Sequence, residues 1–280
     1  MPDVLAELRA ALAFQRELGG RYVPRVEVPE DESPRRATAP EPTAVLPVPS
    51  DTPDEPMPTI DMFGGDAPAP EPSLPASPYA RLDALIPDGH PVKACTTLAE
   101  VEAVAQNTVF IPLDETRINP VFGVGRPDAD LMIVGEAPGA DEDRTGEPFV
   151  GRAGQLLTKI LAAIGLERDD VYIANILKSR PPGNRDPEPD EIAAHLPMLY
   201  KQMALVRPKV ILCVGKTSGN ALLGKRAALG SLRDREHDFH GLPLFVTYHP
   251  AALLRNEQWK RPTWEDVQLM KAALDRETGG

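Results

Sequence analysis

The run Asp130-Leu131-Met132-Ile133-Val134-Gly135 passes directly into Glu136-Ala137-Pro138-Gly139. A short, unbroken apolar run closed by a glycine-bearing turn reads as a strand buried on both faces, as in a parallel sheet covered by helices on each side. Three further runs have this form: Val171–Asn175 (VYIAN), Lys209–Val214 (KVILCV) and Pro243–Tyr248 (PLFVTY). Helical patterns lie between and after them, over Arg152–Ile164, Pro189–Val206, Thr217–Leu223 and Trp264–Leu274. Strands alternating with helices predict an α/β fold, three-layer α/β/α, with a four-stranded parallel sheet.

Each strand ends in a polar or glycine-bearing segment: Gly135–Gly139, Asn175, Gly215-Lys216-Thr217 and His249-Pro250. In an open parallel sheet, ligands bind outside the carboxyl ends of the strands. The four ends therefore predict one crevice holding a carboxylate, an amide and an imidazole, with glycine backbone able to approach a ligand closely. Taken singly, each feature has a plain reading as a turn, a cap or a structural histidine; their convergence favours a site. Gly215-Lys216-Thr217 is not the end of a phosphate-binding loop, because Val210 stands where that motif needs glycine. Gly123-Val124-Gly125 lacks the third glycine of a dinucleotide fingerprint and precedes a strand.

The 280-residue chain has a net charge of −12. Residues 1–80 carry 6 basic against 14 acidic residues (−8), which leaves 24 against 28 (−4) for residues 81–280. Binding of nucleic acid by bulk charge is excluded on that balance, while a local basic rim is not. Residues 1–20 read as a short amphipathic helix with Leu5, Leu8 and Leu12 on one face, stopped by Gly19-Gly20. Residues 21–80 hold most of the 16 prolines found before residue 81, and their composition predicts disorder. The globular domain is expected over 81–280. The two cysteines, Cys95 and Cys213, form no pair motif and suit a reducing cytoplasm. No segment has the length of apolar residues needed to cross a membrane.

Three segments resemble, in order, the signatures of the family 4 uracil-DNA glycosylases. They are Gly135–Leu157 (GEAPGADEDRTGEPFVGRAGQLL), Asn175–Pro187 (NILKSRPPGNRDP) and His249–Asn256 (HPAALLRN). The resemblance runs from about Thr97 to the C-terminus. It implies excision of flipped-out uracil from DNA in base excision repair, or failing catalysis a relative that binds uracil or abasic sites. Phe149 would stack on uracil and Asn175 would read its edge. His249 would sit by O2, and Glu136 would place or activate water. Glu142 is a second acidic candidate, either for catalysis or for crowding C5 against thymine. The segment with Leu254 and Arg255 would enter the gap left by the extruded base and hold a phosphate, with a capped helix start as the alternative. Arg152, Lys178, Arg180 and Arg185 would supply the basic rim, with plain solvation as the alternative.

The family also holds a four-iron cluster on four cysteines, and here the chain departs from it. Asn107-Thr108-Val109-Phe110 stands where a CxxC pair is expected, and Ser179 and His195 stand at the other two positions. Cluster iron needs thiolates. The expectation is a monomeric enzyme without metal or cofactor, in which Val109, Phe110 and Ile111 hold the Asn107–Leu113 region by packing. Thr59-Ile60-Asp61-Met62-Phe63 resembles peptides that dock on the bacterial sliding clamp, apart from the missing first glutamine.

Overall fold

The computed structural model describes residues 77–279. The helix expected over 1–20, nearly all of the segment 21–80 and the Thr59–Phe63 peptide lie outside the described residues. Among the described residues, six strands form one sheet: β1 (Val124–Gly125), β2 (Leu131–Gly135), β3 (Tyr172–Asn175), β4 (Val210–Val214), β5 (His237–Phe239) and β6 (Leu242–Thr247). Their spatial order is β1-β3-β2-β4-β6-β5. β3, β2, β4 and β6 run parallel, whereas β1 pairs antiparallel with β3 and β5 with β6.

The expected four-stranded sheet is thus corrected to a six-stranded mixed one. Its parallel centre is the four apolar runs, and the additions are two edge strands of two and three residues. Elements so short show no apolar periodicity. β1 also depends on Gly125, at φ +120°, where a Cβ would lie 1.9 Å from the Val171 carbonyl oxygen.

The helices are α1 (Pro78–Ala84), α2 (Leu98–Asn107), α3 (Ala140–Thr145), α4 (Arg152–Ala163), α5 (Pro189–Val206), α6 (Lys216–Leu223), α7 (Leu229–Leu232), α8 (Pro250–Leu253) and α9 (Lys260–Thr278). α2 starts on a capping box: the Glu100 N–H donates to Thr97 Oγ1 (3.2 Å) and the Thr97 N–H to Glu100 Oε2 (3.2 Å). α9 begins four residues before the expected Trp264, because Pro262 falls in its first turn, where no intrahelical N–H is needed. None of these helices is long and apolar enough to cross a membrane.

Alternate strand residues enter opposite cores. Met132 and Val134 pack with Leu199 and Met203 of α5 and Leu222 of α6. Leu131 and Ile133 pack with Leu157 and Ile160 of α4 and Val267 and Met270 of α9. Each such side chain contributes about 1.5–3 kcal/mol on full burial. The chain leaves β2 toward β3 on one side and leaves β4 toward β6 on the other. The carboxyl ends of β2 and β4 therefore flank the topological switch point, where an open α/β sheet binds its ligand.

Candidate active site

A cleft of about 420 Å³ opens over the carboxyl ends of β2 and β3, with Glu136, Glu142, Phe149, Asn175, His249 and Arg255 in its lining, whereas the expected Gly215-Lys216-Thr217 end of β4 is not part of that lining. Asn175 closes β3, opposite Gly135 of β2. It is 2 % exposed, and its side-chain Oδ1 is buried without a hydrogen-bond partner. A buried acceptor left unpaired costs about 1–3 kcal/mol. Asn175 lines the cleft, and a buried acceptor left unpaired there calls for an explanation. Gly135 makes room for it, since a Cβ there would lie 2.2 Å from Asn175 Oδ1 and 2.6 Å from Phe149 Cζ.

Phe149 is buried and adopts the left-handed conformation (φ 55°), a strain of about 1–3 kcal/mol for a non-glycine residue. Two devices hold it. A Cβ on Gly154 would lie 1.7 Å from the Phe149 carbonyl oxygen, so only glycine admits this turn. Glu142 clamps the other side: its Oε1 accepts the N–H groups of Val150 (3.0 Å) and Gly151 (3.0 Å), and its Oε2 accepts that of Gly139 (3.2 Å).

His249 caps α8, its Nδ1 accepting the Ala251 N–H at 3.1 Å. That bond leaves Nε2 to carry the proton. Burial, helped by the Arg255 charge, holds the pKa of His249 down to about 4, so the ring is neutral. Glu136 follows β2. Its carboxyl is raised above the ordinary carboxylate range, chiefly by burial and also by the Asp186 charge, against an opposing hydrogen bond from Thr217.

The rim expected from sequence is only partly assembled. Leu254 is 41 % exposed, and Arg255 beside it is exposed and lines the cleft. Arg152 is exposed at the start of α4. Arg180 donates to Asn184 Oδ1 at 2.7 Å. Arg185 lines the cleft but gives Nη1 and Nη2 to the Glu191 carboxylate (2.8 and 2.6 Å). Lys178 is a correction: it is fully buried, and its Nζ donates to the carbonyls of Phe122 (3.1 Å) and Asn175 (2.9 Å) and to Gln202 Oε1 (2.6 Å). Three interior acceptors surround its Nζ, so it is not on the rim.

Residues 122–269 match the family model of the uracil DNA glycosylase superfamily. The chain is 41% identical over 170 residues to a type-4 uracil-DNA glycosylase of Thermotoga maritima, covering 59% of this chain and 88% of that protein. It is 40% identical over 188 residues to one of Pyrobaculum aerophilum (64% and 96%), and 44% identical over 164 residues to one of Archaeoglobus fulgidus (56% and 82%). The chain belongs to the uracil-DNA glycosylase superfamily.

At the four positions where the resemblance implies cluster cysteines stand Asn107, Phe110, Ser179 and His195. Ser179 Oγ and His195 Nε2 both donate to Asp114 Oδ1, the latter at 3.0 Å. Arg117 Nη1 reaches Asp114 Oδ1 (3.2 Å) and Ser179 Oγ (3.1 Å), and its Nη2 reaches the Ala105 carbonyl (2.6 Å). Asp114 Oδ2 accepts the N–H groups of Phe110 (2.9 Å) and Ile111 (3.3 Å). Burial pushes the Asp114 carboxyl up, but the hydrogen bonds from His195 and Ser179 prevail and hold it well below the ordinary range. A closed polar node with no thiolate does not fit a four-iron cluster. Cys95 and Cys213 are buried elsewhere, the latter within β4.

The expected apolar packing is found for Phe110 and Ile111 and corrected for Val109. Val109 is 56 % exposed and packs little. Phe110 stacks on His90 at 5.1 Å, and Ile111 leans on the main core, but the Asp114 carboxylate gathers the segment. Asp114 and His195 are 81 positions apart, so nothing in local spacing joins them. Thr217 was named from sequence only as part of the Gly215-Lys216-Thr217 strand end, without a role. Gly135 and Gly154 lie inside the quoted signature.

Proposed function

We propose that this protein is a monofunctional uracil-DNA glycosylase of base excision repair, acting on uracil extruded from DNA into the cleft beneath Phe149. The observation that carries the reading is the buried, unpartnered Oδ1 of Asn175. Uracil presents an N3–H donor beside its O4 acceptor, so an amide that accepts from the first and donates to the second pairs fully. Cytosine presents the reverse pair and would leave both buried groups unmatched, which is a strong ground for rejection. Phe149 supplies a face for stacking, which any base accepts.

Cleavage breaks the bond between the sugar C1′ and uracil N1. The electron pair leaves with uracil, and negative charge gathers on O2. The Nε2–H of His249, fixed by the Ala251 contact, is the donor for that charge. Positive charge develops on the sugar. The Glu136 carboxylate, oriented by Thr217, stabilises it and takes a proton from the water whose oxygen bonds to C1′. Glu142 serves by holding the Phe149 turn, since its oxygens are occupied by backbone N–H groups. Leu254 and Arg255 enter the helix in place of the base, and Arg152 and Arg180 meet phosphates.

The enzyme works as a monomer in the cytoplasm, and Thr59–Phe63 tethers it to the sliding clamp. A titration of residues 55–68 against the clamp tests the tether, and absence of saturable binding removes it. The main test is conversion of labelled oligonucleotides bearing one uracil, cytosine or thymine, single- and double-stranded, to alkali-labile abasic product. Product from uracil alone supports the reading. Binding of the uracil oligonucleotide without product would make the protein a reader in place of an enzyme.

A further inference from the structure

Lys178 is among the largest fully buried side chains of the described residues, and the chemistry above makes no use of it. Its three hydrogen-bond partners are all neutral oxygens. Burying an ammonium without a carboxylate is costly, whereas an apolar side chain of similar length would fill the same space without that cost. Only a lysine brings one nitrogen within reach of all three oxygens, with three N–H donors in its charged form and two in the neutral form that burial favours by pulling its pKa down to about 7.

Those donors join three parts of the fold. One reaches the carbonyl of Phe122, just before β1. One reaches Gln202 on α5, whose own Nε2 donates to the Phe122 carbonyl (2.9 Å) and to Tyr172 Oη (3.1 Å). The third reaches the carbonyl of Asn175 itself, at the carboxyl end of β3. The segment is closed from the other direction by the Val121 N–H, which donates to the Lys178 carbonyl at 2.8 Å. The Asn175 amide has little slack, because Gly135 Cα and the Phe149 ring bound it on one side.

We infer that Lys178 is a positioning residue for uracil recognition: from inside the protein, its Nζ holds the strand end that aims the Asn175 amide into the cleft. The inference rests on the assignment of Asn175 to the uracil edge. A displacement of a recognition group by about 1 Å costs on the order of 100-fold in rate. Buttresses of this kind set the geometry of the groups that touch the ligand.

The test compares wild type, Lys178→Met and Asn175→Ala in the full chain. Three quantities are measured on protein shown to be folded by its melting curve. They are the single-turnover excision rate, inhibition by free uracil, and affinity for DNA carrying a stable abasic-site analogue. For Lys178→Met the inference predicts a rate lower by about 10- to 100-fold and uracil inhibition weakened by a similar factor, with unchanged affinity for abasic DNA. A lowered melting temperature with normal rate and normal uracil inhibition would overturn it. If Asn175→Ala itself keeps full activity, the site assignment fails first. If Asn175→Ala is crippled and Lys178→Met is not, only the inference about Lys178 fails. Should Lys178→Met not fold, Gln202→Met removes one leg of the tripod. A proportionate, smaller loss of rate and uracil inhibition then supports the inference, and no change in either overturns it.

Discussion

The rings of Phe149 and His249 lie 5.5 Å apart, centroid to centroid, and are inclined by 29°. A base cannot enter between rings so close. With its pKa held down to about 4 by burial, His249 is neutral at every pH of ordinary use. The excision rate should show no inflection from His249 near pH 6.5; its fall at acid pH should follow protonation of Glu136, whose carboxyl is raised by burial, with His249 titrating only near pH 4. An inflection near pH 6.5 that disappears in His249→Asn would contradict this. The stability sign follows from the same shift. Between about pH 6.5 and 4 the unfolded chain binds the proton and the folded one does not, so stability drops as pH is lowered through that window. Denaturant unfolding at pH 7 and 4.5 should show a smaller drop for His249→Asn.

The two candidate carboxylates should separate by experiment. Glu136→Gln removes the group proposed to face sugar and water, and single-turnover chemistry should slow by about 10²-fold or more with DNA affinity retained. Glu142→Gln breaks the clamp on Val150 and Gly151. It should cost about 1–3 kcal/mol of stability and weaken inhibition by free uracil, without altering the shape of the pH–rate profile. Interchanged phenotypes would reverse the two roles.

Gly135→Ala places a methyl group 2.2 Å from Asn175 Oδ1 and 2.6 Å from Phe149 Cζ. The side chains have to move, and the recognition geometry goes with them. Excision should fall by more than about 100-fold while binding of abasic-site DNA persists. A folded Gly135→Ala protein of normal rate would show that the pocket lies elsewhere.

Asp114 collects five donors from Phe110, Ile111, Arg117, Ser179 and His195. Asp114→Ala leaves buried cationic and polar groups without their partner and should destabilise the fold by about 3–5 kcal/mol. Because this node stands in the ligand positions of the cluster, chelators should leave the melting curve of the wild type unchanged. Protein purified without oxygen should contain neither iron nor acid-labile sulfide. Stoichiometric amounts of both would contradict the account of the node.

The parallel centre of the sheet was legible because each of its strands is buried on both faces and so reads as an unbroken apolar run. β1 and β5 were not, being too short for any pattern. The capping box Thr97–Glu100 announced α2, but only to a reader looking for helix starts. In the site, Glu136, Asn175 and His249 were visible because strand ends converge by topology. Lys178 was misread because a lysine between turn residues looks solvated, and only the tertiary positions of Phe122 and Gln202 reveal its acceptors. Val109 was misread for the opposite reason, since its apolar side chain looks buried and is not. The Asp114 node was invisible because its members are scattered along the chain.

The central claim is that Asn175 reads the uracil edge with an acceptor that has no partner inside the protein. Its most direct test is the single-turnover excision rate of Asn175→Asp and Asn175→Ala on a uracil-bearing oligonucleotide, with folding confirmed by melting curves. Loss of at least about 100-fold in both variants, with affinity for abasic-site DNA retained, is the predicted result. Folded variants that excise uracil at the wild-type rate would contradict it.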